Sequence, residues 1–226
     1  MPTVSAPLLL VINPGSTSTR TALFRGERRE AERHLDCLPA DLAQCKTIAD
    51  QVPLRRKHVE DFLAGLGEKA RALDGIAARG GPLQPVAGGV YRVTDAMLAD
   101  ARSDRFIEHV SKAACLIADG LSRATGAPAF VVDPISTDEY DPISRVSGLK
   151  ELPRQSLTHA LNMKAVARLF AKEVGRPYAS LNLVTAHLGG GCSIAVHRQG
   201  RMVDSVDANG EGPFSPERTG GLRVDS

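Results

Sequence analysis

The stretch Leu8–Arg25, with the sequence LLLVINPGSTSTRTALFR, decides the fold. Leu8–Ile12 is a continuous apolar run with the length of a buried strand. Asn13–Thr17 is made of Asn, Pro, Gly, Ser and Thr, which favour a turn. Arg20–Arg25 then returns as a second strand. The stretch therefore predicts a β-hairpin with a turn of small residues.

A second stretch, late in the chain, repeats this pattern. Leu183–Arg201 reads LVTAHLGGGCSIAVHRQGR, an apolar strand, a Gly-rich turn and a strand with a basic end. Glycine allows a backbone to approach a ligand closely, and successive backbone N–H groups can bind a phosphate. The two stretches predict either two phosphate-binding hairpins, one in each of two related domains, or two ordinary hairpins with tight turns.

Strands and helices alternate between these hairpins, which predicts an α/β fold. Further strands are predicted over Glu30–Leu35, Gly75–Ala78 and Ala129–Val132. Helices are predicted over Thr47–Arg71, Asp95–Asp100, Arg105–Thr125 and Arg154–Val174, and a loop over Ala208–Gly221. Asp133–Pro153 is rich in Pro, Ser, Asp and Gly and is the best candidate for a linker. We therefore expect a first domain over 1–135, a linker over 136–153 and a second domain that begins at 154 and extends to 226.

Composition narrows the class of protein. A chain of 226 residues with 42% hydrophobic and 24% charged residues is typical of one or two globular domains. The net charge of +2 does not indicate nucleic-acid binding, and the longest apolar run is too short to cross a membrane. Without a secretory signal or a C-x-x-C pair, we expect a cytoplasmic protein with reduced thiols. P-loop, H-E-x-x-H and G-x-S-x-G motifs are absent.

Eight short segments resemble the acetate and butyrate kinase family, in the family's order and over nearly the whole chain. The last of them is the most specific, and several favour the butyrate kinase branch. They are VINPGSTST at 11–19, ARGG at 78–81, GGVY at 88–91, VDP at 132–134, RQS at 154–156, HALN at 159–162, HLGGG at 187–191 and GEGPFSPERTGG at 210–221.

The resemblance implies a fold and an activity. The fold is the α/β actin-like ATPase (ribonuclease H-like) domain shared with actin, Hsp70 and the sugar kinases, duplicated around a cleft. The activity is phosphoryl transfer between ATP and a short-chain carboxylate, with Mg²⁺, giving an acyl phosphate. Butyrate or a branched acid is favoured over acetate. Small-molecule carboxylate and ATP/ADP are the implied partners, without nucleic acid or membrane, in a homodimer or larger assembly of the full-length protein.

Family members continue beyond the last matching segment. We therefore expect a complete first domain and the start of a duplicated second domain in these 226 residues. The Gly-rich adenosine loop of the family, and the C-terminal glutamate that helps to bind Mg²⁺, have no counterpart among them.

The chemistry of this reaction calls for cations. A carboxylate nucleophile is already ionised at pH 7 and needs no general base, but an anion must approach a polyanion. The resemblance implies that Arg79 binds the substrate carboxylate or the moving phosphoryl group, and that Arg218 stabilises charge on that group. His159, inside the helix predicted from Arg154, is implied to donate a hydrogen bond in the transition state. Without the resemblance, these would be two surface arginines and a half-buried helix histidine.

The remaining site residues lie at the two predicted turns and after the strand at 129–132. The resemblance implies phosphate binding by Asn13, Ser16, Thr17, Gly189, Gly190 and Gly191, and a His187 that either contacts the phosphate or orients the turn. Asp133 would hold Mg²⁺ directly or through water, or else cap the linker. The basic segments Arg25–Arg33 and Leu54–Lys57 are predicted to be solvated faces.

Two other functions are weighed against the carboxylate kinase. One is a catalytically inactive fragment or remnant of the same fold that binds phosphate, nucleotide or a partner. The other is a sugar kinase or related regulator, which would need an acidic pair for sugar binding that the sequence does not identify.

Overall fold

The computed structural model describes residues 5–222, which form two compact units. The first unit comprises the chain up to Gln84 together with Val90–Val132. The second comprises Pro85–Gly89 and the chain from Asp133 onward. Within residues 5–222, no helix combines the length and the apolar composition needed to cross a membrane.

The first unit is built on one six-stranded mixed sheet. Its strands are β1 (Leu8–Pro14), β2 (Ser18–Arg25), β3 (Arg28–Asp36), β4 (Gly75–Arg79), β5 (Val90–Arg92) and β6 (Ala129–Val132). Their order is β3-β2-β1-β4-β6-β5, and β1, β4 and β6 run parallel, so their carboxyl ends meet at one edge. The predicted β1–β2 hairpin and the predicted strands β3, β4 and β6 are confirmed. Strand β5 was not predicted, because its three residues are mostly exposed and form no apolar run.

Four α-helices accompany this sheet: α1 (Pro39–Leu42), α2 (Val52–Leu66), α3 (Asp95–Arg102) and α4 (Lys112–Thr125). Helix α4 lies against β1, β4 and β6, and its buried Ala113, Ala114 and Ala118 let it approach the sheet closely. The side chains that fill the core between sheet and helices include Leu10, Ile12, Val59, Phe62, Ile76, Ile117 and Leu121. The first unit therefore has its own apolar core.

Helix α4 begins seven residues later than the predicted Arg105–Thr125 helix. The Lys112 ammonium donates to the carbonyls of Ser103 at 2.9 Å and Phe106 at 3.0 Å. The carbonyls of Ser103 and Phe106 are therefore hydrogen-bonded to the Lys112 side chain, so this segment needs no extra helical turn to satisfy them. Helix α2 is likewise shorter than predicted, because Pro53 stands in its first turn and Gly67, at φ +55°, ends it.

The second unit pairs a helix with a three-stranded antiparallel sheet. Helix α5 spans Ala160–Glu173, and the sheet has the order β7 (Asn182–Leu188), β8 (Cys192–Arg198), β9 (Arg201–Asp207). Ala160, Met163, Ala195 and Met202 form a small core between them. The predicted β7–β8 hairpin is confirmed, whereas β9 was not predicted because its apolar residues are interrupted by charges.

Helix α5 corrects the placement of His159. The predicted helix began at Arg154, but the observed helix begins at Ala160, and His159 precedes it with φ −77° and ψ 49°. The residues before His159 do not continue the helix, because the Thr158 N–H donates to the Ile135 carbonyl instead. His159 therefore lies at the start of the helix rather than inside it.

The segment 136–153, proposed as a linker, lies within the second unit. Tyr140 is buried there and donates its hydroxyl to the Ser205 carbonyl at 2.8 Å. Arg145 holds Asp138 through two hydrogen bonds of 2.8 Å. These contacts fix the segment against the rest of its unit, and the proposed domain limits at 135 and 154 stay a prediction.

A buried histidine in the second unit links folding to pH. The His197 side chain is fully buried, with Tyr178 Oη 2.5 Å from Nδ1 and Thr185 Oγ1 2.8 Å from Nε2. Burial, assisted by the nearby charge of Lys164, lowers the pKa of His197 to about 4. The imidazole is therefore neutral in the folded protein at neutral pH.

We predict that His197 makes the protein less stable as the pH falls from 6.5 towards 4. The unfolded chain binds a proton at the ordinary histidine pKa of about 6.5, whereas the folded chain resists it until about pH 4. Urea unfolding at pH 7.5 and pH 4.5 measures this loss, which is up to about 3 kcal/mol. His197→Gln reduces the loss, whereas His34→Gln, at an exposed position, leaves it unchanged. An equal loss in all three proteins would contradict the prediction.

Candidate active site

The β1–β2 turn in the first unit presents three of the predicted phosphate-binding residues. Asn13, Ser16 and Thr17 are all exposed, and the Gly15 N–H closes the turn by donating to the Ser18 carbonyl at 2.8 Å. Within the described chain, the N–H groups of Ser16 and Thr17 meet no protein acceptor. The turn therefore offers backbone donors of the kind that bind an anion.

Arg55 lies behind this turn, so the expectation that Leu54–Lys57 is a solvated face is wrong for this residue, whereas Lys57 is exposed. The Arg55 side chain is fully buried on α2. Its guanidinium donates to the carbonyls of Ser16 at 3.1 Å and Ser18 at 2.8 Å, and to Thr19 Oγ1 at 3.0 Å. The sequence did not predict the burial of Arg55, because its acceptors are backbone oxygens that only the fold brings close to it.

Arg79 ends β4 at the same sheet edge as this turn. Because β1 and β4 are parallel and Ile12 pairs with Ala78, the next residues, Asn13 and Arg79, lie side by side. Arg79 is partly buried, and burial lowers the pKa of its guanidinium. Its side chain has neither a hydrogen bond nor an ion pair among residues 5–222. A desolvated cation of this kind favours a negatively charged ligand.

The second unit brings together His159 and His187. Their rings stack with centroids 3.8 Å apart and planes 9° from parallel. The His187 Nδ1 lies 3.0 Å from Asn162 Oδ1, within hydrogen-bond distance. The His159 Nδ1 lies 3.0 Å from the hydroxyl of the buried Ser193. Asn162 and Ser193 thus fix both rings, although the sequence indicated no role for either residue.

Arg218 lies against the Gly-rich turn between β7 and β8. Its guanidinium occupies the place that a Cβ on Gly191 would take, and the His159 ring lies 3.4 Å from that same place. A Cβ on Gly190 would likewise meet the Glu217 carboxylate. The absence of a Cβ at both positions leaves room for the Glu217 and Arg218 side chains, and it lets His159 and Arg218 approach the same turn.

The loop that carries Arg218 is tied to the turn by one carbonyl. The Gly190 oxygen accepts from the Ser215 hydroxyl at 2.7 Å and from the Glu217 N–H at 3.1 Å. Arg154 supports the same loop by binding Glu211. The predicted loop over Ala208–Gly221 is confirmed, and these bonds give it a fixed shape.

Asp133 lies buried in the second unit, and its surroundings do not fit direct coordination of Mg²⁺. Its Oδ1 accepts from the Gly89 N–H at 2.8 Å, and its Oδ2 accepts from Arg168 at 2.8 Å. Its backbone has φ +37°, which is uncommon for a residue other than glycine. In the described chain, no group of three His, Cys, Asp or Glu residues gathers as a metal site. A contact through water stays a prediction.

The chain is similar in sequence to acetokinases and butyrate kinases. Residues 149–210 match the acetokinase family. The chain is 41% identical over 217 residues to butyrate kinase 1 of Clostridium acetobutylicum, covering 96% of this chain and 61% of that protein. It is 45% identical over 216 residues to a probable butyrate kinase of Thermotoga petrophila, covering 96% and 60%. The chain is homologous to the N-terminal portion of the butyrate kinases.

Structural similarity agrees with this homology to the butyrate kinases. Porphyromonas gingivalis acetate kinase superposes with a TM-score of 0.68 at 17% identity, over 97% of this chain and 62% of that one. The predicted α/β fold of the acetokinases is therefore confirmed. This butyrate kinase homologue spans about 60% of the length of the curated relatives it matches.

We predict that Gly191→Ala displaces the Arg218 guanidinium from the turn. Because the clash is with the end of a flexible side chain, the free energy of unfolding changes by less than about 1 kcal/mol. The affinity for inorganic phosphate, measured by calorimetry, falls to that of Arg218→Gln, and combining the two changes gives no further loss. Gly148→Ala is the control, since nothing lies within 4 Å of its added Cβ. Wild-type phosphate affinity in Gly191→Ala would contradict the prediction.

Proposed function

We propose that this chain acts as a carboxylate kinase. It transfers a phosphoryl group between ATP and a short-chain carboxylate, butyrate or a branched acid, and gives an acyl phosphate. Homology to the butyrate kinases supports the reaction class. The observation that carries the proposal is a set of arginines that have no carboxylate partner within residues 5–222.

The buried and partly buried arginines divide into two groups. Carboxylates pair with Arg25, Arg56, Arg145 and Arg154. In the part of the chain that is described, Arg55, Arg79 and Arg218 have no such partner. Removing a cation from water without a counter-ion is costly, and a bound anion offsets that cost. Arg79 lies at the strand end and Arg218 at the turn that the family resemblance assigns to carboxylate and phosphate binding, and Arg55 lies behind the other turn.

The reaction itself needs no general base. One carboxylate oxygen forms a bond to the γ-phosphorus of ATP while the bond to the β-phosphate oxygen breaks, and ADP leaves with the electron pair. A carboxylic acid has an ordinary pKa of about 4–5, so its nucleophilic form is present at pH 7. The barrier is therefore one of anion approaching anion, and fixed cations lower it.

We assign the roles residue by residue. Arg79 binds the substrate carboxylate, where a planar guanidinium can donate two parallel hydrogen bonds. Arg218 stabilises the charge on the transferring phosphoryl group, and His159 donates a hydrogen bond to it. His187 orients or contacts the phosphate. The two turns, with Asn13, Ser16 and Thr17 in the first unit and Gly189, Gly190 and Gly191 in the second, supply backbone and side-chain donors.

ATP with Mg²⁺ is the proposed phosphoryl donor. When Mg²⁺ is bound with ATP, it neutralises part of the negative charge on the phosphates. Because both oxygens of Asp133 are engaged by protein donors, we assign no step to the metal. The homodimeric or larger assembly and the cytoplasmic location stay predictions.

The test is ATP-dependent trapping of the product by hydroxylamine. We expect the purified 226-residue chain, with ATP, Mg²⁺ and butyrate, to form butyryl hydroxamate. Arg79→Gln and Arg218→Gln each lower the rate by about 10²–10³-fold, because each removes a cation that stabilises the transition state.

Arg71→Gln is the matched control, since Arg71 is exposed and its one ion pair within the described chain is with Glu68. Its rate should equal that of the wild type. Binding of phosphate or ATP without hydroxamate formation would overturn the kinase and favour the non-catalytic remnant of the same fold. If Arg79→Gln and Arg218→Gln formed hydroxamate as fast as the wild type, the roles assigned to Arg79 and Arg218 would be wrong.

A further inference from the structure

Arg55 is a buried cation whose hydrogen bonds are complete but which has no charged partner among residues 5–222. Its Nε and Nη2 donate to Gln51 Oε1 at 3.0 and 2.9 Å. With the bonds to Ser16, Ser18 and Thr19, all five guanidinium N–H groups are used. Every acceptor is neutral.

Other buried basic residues of the described chain are treated differently. Lys164 lies 2.6 Å from a carboxylate oxygen of Glu139, and Lys112 lies 3.3 Å from one of Glu108. Arg55 is as fully buried as these lysines, yet among residues 5–222 no carboxylate pairs with it. Burial lowers the pKa of Arg55, but an arginine stays protonated in proteins. A full positive charge therefore stands behind the β1–β2 turn.

The bond from Arg55 to the Ser16 carbonyl also orients the turn. A trans peptide is planar, so its C=O and N–H point in opposite directions, and the described chain has no cis peptide. The Ser16 carbonyl points at the guanidinium, so the N–H of the same peptide, which belongs to Thr17, points away from it. That N–H has no protein acceptor in the described structure.

We propose that Arg55 is a positioning residue of the β1–β2 turn, whose buried charge and carbonyl contacts set the turn's affinity for a phosphoryl anion. Arg55 itself does not touch the anion. It directs the Thr17 N–H outward and adds a positive potential behind it. The inference rests on the proposed function, because that function makes a phosphoryl group the ligand of this turn.

Gln51 allows the charge to be neutralised without removing a contact. Its Oε1 already accepts two bonds from Arg55, and in the described structure its side-chain amide donates to nothing. Gln51→Glu therefore keeps the shape and supplies a counter-ion. Gln44→Glu adds the same charge at an exposed position on the same unit and serves as the control.

The experiment is a titration of the full chain with inorganic phosphate, followed by the ¹⁵N NMR signal of the Thr17 amide. That signal reports on this turn alone. We expect Gln51→Glu to weaken phosphate binding by about fivefold or more without lowering the melting temperature, because the potential at the turn falls while the contacts stay. Gln44→Glu should bind within about twofold of the wild type.

A second pair of variants separates charge from packing. Arg55→Lys should keep phosphate affinity within about threefold, whereas Arg55→Gln should lose about tenfold or more. Unchanged affinity in Gln51→Glu, an equal loss in Arg55→Lys and Arg55→Gln, or no phosphate shift at Thr17 would each overturn the inference. The titration needs no turnover, so absence of hydroxamate with an Arg55-dependent phosphate shift would count against the kinase alone.

Discussion

The carbonyl oxygen of Gly190 accepts two hydrogen bonds, and the geometry of the second-unit site depends on them. They come from the Ser215 hydroxyl and the Glu217 N–H. The loop over 208–221 has no regular secondary structure, so without such bonds its backbone entropy would spread Arg218 over many positions. Because the turn lacks a Cβ at Gly191, the guanidinium can rest directly against the backbone. A cation held in place before substrate binds avoids the cost of ordering it during the reaction.

The turns of the two hairpins are both held in place by hydrogen bonds from another segment, but different groups make these bonds. In the second unit, a backbone oxygen receives donors from a neighbouring loop. In the first unit, the buried side chain of Arg55 reaches from α2 to the carbonyls of Ser16 and Ser18. The sequence echo between Leu8–Arg25 and Leu183–Arg201 therefore identifies two similar turns but not what stabilises them. Each turn has its supporting groups on a separate segment of its own unit, so each can be altered without changing the hairpin sequence.

The local elements were predictable, whereas their ends and their partners were not. Both hairpins, the parallel strands and the principal helices follow from apolar patterns in short windows of sequence. The start of α4 and the position of His159 before α5 depend on contacts made by Lys112 and Thr158 with distant backbone. The candidate site residues came from the family resemblance. Their supporting groups, Asn162 and Ser193 among them, come from contacts that only the fold brings about.

The net charge of the sequence does not show which charged side chains are paired, whereas the structure does. A net charge of +2 indicates no particular partner, because acidic and basic residues nearly balance. Carboxylates pair with Arg145 and Arg154, whereas no carboxylate among residues 5–222 pairs with Arg79 or Arg218. Binding a phosphoryl group requires positive charge that the protein has not already neutralised, at a place where solvent screening is weak. The pairing of each partly buried arginine, rather than the total charge, therefore points to an anionic ligand.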